Sequence, residues 1–344
     1  MRLAYYTHVK KFRLFYDHLA QCTELSARLC IDSVIYQSKG GDFVMRASRY
    51  FSYIVLVSCF LINFTTREVA AETASCPGNN KALGVSRTVE IDTTAGPGFG
   101  FQHYKSYDFL QNGEVVLTFD DGPLPNRTDK ILDALAHHCT KATFFPVGKL
   151  AVGYPELLKQ VADGGHTIGS HTWSHKNLAK KKSKVAESEI ERGLSAVSLA
   201  IGEKQSPFFR FPYLKDSEPL VKYLGERNIA IFSTDLDSFD FKTKSQNRLI
   251  TKIVKKLKKR KKGILLLHDI QPVTVKAMPK LLDALKESGF KIVHLKSKES
   301  AKSLPNFEAI VKKEFKGRIA NAGGRPMSSV VKTVSRQEAT AQSN

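Results

Sequence analysis

Glu114-Val115-Val116-Leu117-Thr118-Phe119-Asp120-Asp121-Gly122-Pro123 is the stretch on which the fold turns. An apolar strand, Glu114 to Leu117, runs out into a turn that carries two adjacent carboxylates. Side chains alternate along an extended segment, so Asp120 and Asp121 cannot point the same way as strand residues. At a strand terminus they can serve two tasks, one holding a metal while the other handles a proton. Asp, Gly and Pro are ordinary turn residues, which accounts for Gly122 and Pro123 but not for the pair of charges.

His171-Thr172-Trp173-Ser174-His175 follows a short apolar segment, Thr167-Ile168-Gly169, and so also sits just past a strand end. Two histidines four apart can face one way on a helical turn and grip a single cation, although exposed or core-satisfied histidines share this spacing. Two His and one Asp form a ligand set suited to zinc and tolerant of cobalt or nickel, with positions left open as in catalytic sites. Three more segments repeat the arrangement. Ser206 to Tyr213 delivers Arg210 after an apolar run, and Ile229 to Thr234 empties into Asp235-Leu236-Asp237-Ser238-Phe239-Asp240-Phe241. Gly263 to Leu267, the most strand-like run, ends in His268-Asp269. Each polar residue alone reads equally well as a surface or capping group; five sets at successive strand ends do not.

Amphipathic stretches separate these strands: Thr128 to His138, Pro155 to Ala162, Ser183 to Ile201, Glu218 to Arg227, Gln246 to Lys261 and Val273 to Ser288. With Ala142 to Val147 and Lys291 to His294 the expected count is seven strands. Such alternation calls for an α/β fold with parallel strands and helices outside. A closed or nearly closed barrel would gather all the strand ends on one face; a doubly wound open sheet is the alternative.

The motifs resemble those of the polysaccharide deacetylases of carbohydrate esterase family four, the NodB-homology domain. The ordered matches are Thr118-Phe119-Asp120-Asp121, His171 to His175, Arg210 to Tyr213, Asp237-Ser238-Phe239-Asp240-Phe241 and Leu266-Leu267-His268, within about residues 110 to 295. The resemblance implies a distorted (β/α) barrel of seven to eight parallel strands and removal of N-acetyl groups from amino-sugar units. It also implies roles. Asp121, His171 and His175 would bind the divalent metal, whose Lewis acidity polarises the acetamide carbonyl and eases deprotonation of water. Asp120 would be the base, with Arg210 orienting it. The backbone N–H of Tyr213 would hold the oxyanion. His268 would be the acid, with Asp240 raising its pKa, and Leu266 and Phe241 would line the slot for the acetyl methyl. Two departures stand out. Phe241 replaces the family's usual tryptophan, removing area and the indole N–H, and Leu214 follows Tyr213 where the family has glycine, which leaves the placement of the Tyr213 N–H open.

The rest of the chain suggests five segments. Residues 1–44 form an upstream extension without an assignable pattern, and Met45 is an alternative start. In residues 45–71 a positive region (Met45 to Arg49), an apolar core (Tyr53 to Phe64) and small residues ending at Ala71 have the layout of a secretory signal peptide. The expectation is export to the periplasm or medium, with lipidation at Cys59 or an uncleaved anchor as alternatives. Residues 72–113 read as an irregular arm, 114–296 as the catalytic domain and 297–344 as a basic, disordered tail. Of the chain's five cysteines, export would leave Cys76 and Cys139, which could form one disulfide or remain buried thiols.

The net charge of +20 and the lysine runs 180–182 and 255–262 suggest affinity for polyanions. An exported chain meets little nucleic acid, so the readings are a solvated face or contact with anionic envelope polymers. The leading function is a metal-dependent N-deacetylase of chitooligosaccharide or peptidoglycan glycan. A non-catalytic carbohydrate-binding protein and a deacylase of another N-acyl amide are the alternatives.

Overall fold

The computed structural model describes residues 76–202 and 205–321; the signal-peptide and upstream readings lie outside these residues, as does the tail beyond 321. The elements in chain order are β1 (Arg87–Ile91), β2 (Gly98–Phe99), β3 (Glu114–Asp121), α1 (Thr128–His137), β4 (Thr143–Pro146), α2 (Gly148–Gly153), α3 (Pro155–Asp163), β5 (Thr167–Ile168), α4 (Ser183–Ile201), β6 (Phe208–Phe209), α5 (Glu218–Glu226), β7 (Ala230–Phe232), β8 (Leu236–Asp237), α6 (Gln246–Arg260), β9 (Gly263–His268), α7 (Pro272–Glu287), β10 (Lys291–Ser297) and α8 (Pro305–Asn321).

Every named strand pairing is parallel. β9 and β4 flank β3, with β8 beyond β9 and β5 beyond β4. β2, β7 and β6 form a second sheet. The sheets meet where Ser170, just past β5, bridges Phe209, and the chain leaving β7 runs directly into β8. The strands thus pass around a distorted barrel, with β10 joined to the lower end of β3 and β1 on its outer edge.

The barrel obeys the period of two. Val115, Leu117 and Phe119 of β3 pack outward with Ile131, Leu135, Leu281 and Leu285 of the surrounding helices. Val116 faces the inner cluster with Phe145, Phe208, Phe232 and Ile264, so Thr118 and Asp120 face inward with it. On β9 the same rule turns Leu266 and His268 inward, because Ile264 packs inside and Leu265 and Leu267 outside. With both faces of β3 covered, its run of apolar residues follows directly.

Two expectations change. The arm supplies strands β1 and β2, because Val89 and Phe99 pack with the barrel interior, and its Cys76 is disulfide-bonded to Cys139 beyond the end of α1. The region expected to be a disordered tail forms α8 from Pro305 to Asn321. Its amphipathic signal is weak. Val311 is fully buried with Trp173 and Ala196, and Glu314 pairs with Arg192 of α4.

Helix α4 fixes the loop that follows β5. A Cβ on Gly193 would lie 2.6 Å from the carbonyl carbon of Thr172, so helix and loop touch backbone to backbone. Gly193→Ala is expected to cost about 1–3 kcal/mol through overpacking, read as a lower urea midpoint; an unchanged midpoint would show that this contact yields freely.

Candidate active site

All five sequence-derived sets meet at the carboxyl ends of the barrel strands. Asp120 and His268 are register partners on adjacent strands β3 and β9. Arg210, fully buried, reaches them from the end of β6. Its Nη1 donates to Asp120 Oδ1 at 2.7 Å and to Thr118 Oγ1 at 2.8 Å. Nε donates to the Phe232 carbonyl and Nη2 to the Ser233 carbonyl. Its guanidinium lies 4.3 Å from the centre of the Phe145 ring. Asp120 is thereby held in one orientation, with its second oxygen, Oδ2, 3.9 Å from His171 Nε2.

Asp121 leaves the strand with φ of 81°, a left-handed conformation uncommon outside glycine, though aspartate tolerates it better than most, and frequent in functional turns. That twist turns its carboxylate toward the histidines. Oδ1 lies 3.6 Å from His171 Nε2 and 3.3 Å from His175 Nε2. It is buried without a hydrogen-bond partner. His171 Nδ1 donates to the Arg210 carbonyl at 2.7 Å, which leaves the Nε2 lone pair directed at Asp121. Burial pushes the His171 pKa down, favouring the neutral ring that a metal requires. The ligand atoms of Asp121, His171 and His175 lie within 4.8 Å of one another. An orphaned carboxylate oxygen facing two imidazole nitrogens fits a divalent cation with positions left open.

His268 is held by Asp240. Its Nδ1 is 2.7 Å from Asp240 Oδ1, and its backbone N–H donates to Oδ2. Thr274 Oγ1 and the Phe241 N–H also donate to Asp240, which is fully buried. Burial opposes charge on His268, but the bond to Asp240 and the charges of Asp240, Asp120 and Asp121 outweigh it. The imidazole is pushed up to about 9.

Tyr213 and Phe241 stand at the rim, 61% and 50% exposed. The Tyr213 ring meets His175 edge-on at 4.8 Å, and the Phe241 ring meets His268 edge-on at 5.6 Å. Leu266 is buried below, on the same face of β9 as His268. The missing glycine after Tyr213 does not straighten this turn: Tyr213 and Leu214 both take positive φ, 60° and 54°. Leucine adopts there the conformation that glycine would favour.

Several supporting groups escaped the sequence reading. Glu189 of α4 accepts from the Ser174 N–H, the Ser174 hydroxyl and Lys176 Nζ, and so pins the histidine loop. Its signal was a charged residue inside the apolar stripe of α4. Thr274, in the first turn of α7, locks Asp240. Asp269, buried behind Gly122 and hydrogen-bonded by Thr128, is pushed up to about 7 by burial. Gly122 is required there because a Cβ would collide with the Asp269 carboxylate.

This set of groups, an arginine-held aspartate and an aspartate-held histidine on either side of an Asp-His-His cluster, coincides with what the sequence comparisons find. The chain belongs to the polysaccharide deacetylase family. The family model, described as polysaccharide deacetylase, matches residues 110–230. The chain is 35% identical over 189 residues to the peptidoglycan-N-acetylglucosamine deacetylase of Bacillus cereus, covering 54% of this chain and 67% of that one. It is 31% identical over 164 residues to the chitooligosaccharide deacetylase of Azorhizobium caulinodans, covering 48% and 77%. Among solved structures, the Bdellovibrio bacteriovorus peptidoglycan deacetylase superposes with a TM-score of 0.58 at 33% identity, covering 64% of this chain and 61% of that one. As a polysaccharide deacetylase family member, the chain has the distorted barrel that its sequence led us to expect.

Two measurements probe the site without substrate. Arg210→Met strands a buried carboxylate and is expected to cost about 3–5 kcal/mol in urea denaturation. Adding Asp120→Asn should recover part of that loss; strictly additive losses would show that the pair is not coupled. The pH dependence follows from His268, whose folded pKa of about 9 exceeds its ordinary 6.5. Its stabilisation is complete below 6.5 and is lost as pH rises through about 9. In chelator, the wild type should therefore weaken across that window and Asp240→Asn should lack the slope; equal slopes would exclude the assignment.

Proposed function

We propose that this protein is a metal-dependent hydrolase that removes N-acetyl groups from the N-acetylglucosamine units of a glycan of the peptidoglycan or chitooligosaccharide kind. The observation that carries this reading is the juxtaposition of Asp120 and His268 as partners on neighbouring strands, beside the Asp121, His171 and His175 cluster. Zinc is the metal this ligand set suits best, with cobalt and nickel as substitutes. When bound, it would supply Lewis acidity toward the acetamide carbonyl.

Asp120, fixed through one oxygen by Arg210, keeps the other for the water that attacks the carbonyl carbon, and takes its proton. The tetrahedral oxyanion is met by the backbone N–H of Tyr213, on the turn beside His175. His268, whose protonated form the bond to Asp240 favours, gives its Nε2 proton to the amide nitrogen as the carbon–nitrogen bond breaks. Acetate and a free amino sugar leave. Asp240 holds the imidazolium in place, Leu266 and Phe241 bound the methyl slot, and Tyr213 and Phe241 offer exposed ring faces to sugar. Export through residues 45–71 is part of the proposal, supported by the Cys76–Cys139 disulfide, which persists in oxidising compartments.

The test is acetate release from N-acetylglucosamine oligomers and from peptidoglycan by the full chain, metal-stripped and then zinc- or cobalt-loaded. Release should require metal, and Asp120→Asn or His268→Gln should each lower kcat by about 10²–10⁴-fold. Metal binding without acetate release from any of these substrates would reject the reading.

A further inference from the structure

Beside the reaction centre, the loop Asp237 to Lys242 carries a group of cations that the chemistry above does not use. Phe239 takes a positive φ of 52° and turns its ring outward, half-buried. Three ammonium groups close on that one ring. Lys242 Nζ and Lys252 Nζ each lie 4.6 Å from its centre, and Lys256 Nζ lies at 5.2 Å. Lys252 and Lys256 come from successive turns of α6, and Lys242 comes from the loop itself. Lys252 donates to the Ser238 carbonyl at 3.3 Å, and Lys256 to the Asp237 carbonyl at 3.5 Å. Among the described residues no carboxylate forms an ion pair with any of the three. Asp237 accepts the Phe239 N–H, and its charge attracts Lys256 only as the smallest of the influences on that lysine. Helix α6 has seven basic residues and no acidic one.

A merely solvated face would splay these charges, since like charges four apart on a helix repel. Here they converge, and the cation–ring contacts and backbone carbonyls offset only part of the repulsion. Burial and the neighbouring Lys252 charge push the Lys256 pKa down, which marks the cost of bringing them together. An arrangement of this kind gains when an anion enters it.

Its place decides which anion. Phe239 contacts Phe241 edge-on at 6.0 Å, and Lys242 Nζ lies 5.5 Å from the Phe241 ring, which in turn abuts His268. The cations are thus two ring contacts away from the acid that protonates the leaving amine, within reach of a unit next to the one being deacetylated. We propose that Lys242, Lys252 and Lys256, gathered on Phe239, form a carboxylate-binding subsite that selects N-acetylated glycans bearing carboxylates on or beside the reacting unit, such as peptide-substituted peptidoglycan strands, over neutral chitooligosaccharide. This rests on the deacetylase reading. It also gives a function to Lys256, which lies in the 255–262 run that the sequence alone leaves as a charged helix face.

The experiment compares kcat/KM on three substrates of similar length: neutral N-acetylglucosamine oligomers, peptidoglycan strands with free stem carboxylates, and the same strands with those carboxylates blocked as methylamides. The wild type should favour the free-carboxylate strands over the blocked ones by about tenfold at low salt, and this ratio should collapse in high salt. Lys242→Ser/Lys252→Ser/Lys256→Ser should bring the ratio close to one, and the three lysine-to-arginine changes should keep it. A wild-type ratio near one, or a ratio surviving in the triple serine variant, overturns the subsite. So does single-stranded DNA inhibiting more strongly than soluble strands with free carboxylates, which would point to a general polyanion patch. If no substrate yields acetate, the deacetylase reading fails by itself. Equilibrium binding of free-carboxylate and blocked strands to the wild type and triple variant then decides the subsite by the same ratio.

Discussion

The buried pair of Arg210 and Asp120 is the constraint on which the site depends. A guanidinium without solvent contact is tolerable only when its donors are satisfied, and here Thr118, Asp120, Phe232 and Ser233 share them while Phe145 covers its face. Those partners come from the ends of β3, β7 and β4. One side chain thus ties three strands of two sheets together at the level of the reaction centre. Because the Arg210 carbonyl also orients His171, the same residue sets the direction of Asp120 through its side chain and of His171 through its backbone. Loss of strand alignment would be felt at both.

A second pattern organises the other half of the site. Asp240 accepts four hydrogen bonds, from the His268 ring, the His268 and Phe241 backbones and Thr274. A fully buried carboxylate so surrounded cannot rotate, and the imidazole it holds belongs to the register partner of Asp120. Asp120 is positioned from one side of β3 by β6, His268 from the other by β8 and its following loop. Both depend on parallel register, since a slip of one residue would turn Asp120 or His268 out toward the helices.

The turns that carry function are also where backbone conformation is least comfortable. Asp121, Thr172, His175, Tyr213, Leu214 and Phe239 all have positive φ, and all lie at strand ends or in the segments that leave them. Rigid neighbours hold them there: Glu189 and Gly193 of α4 under the histidine loop, Asp269 behind Gly122, α6 lysines over Phe239. Such strain persists only where surrounding packing over-determines it.

Most of the helices and all seven expected strands were legible in the sequence, because burial on one face imposes a period that a linear reading detects. The motif residues were legible for a related reason: charged groups at the ends of apolar runs have few structural explanations, and their order matched a known family. The strands of the arm, strand β8, helix α2 and helix α8 were not. Two-residue strands such as Gly98–Phe99 carry no period, and α8 lies against α4 through Val311, Phe315 and Glu314 without a clear apolar period along its length. Nor could sequence tell that Glu189 faces the histidine loop or that lysines from two elements share the Phe239 ring, since those contacts join segments distant in the chain. Alternation and composition determined which residues would be buried, which would end the strands and what chemistry they could perform. Only the closing of the parallel sheets decided which of those groups would meet, because distances across a barrel are set by register and packing between elements, and local sequence does not encode them.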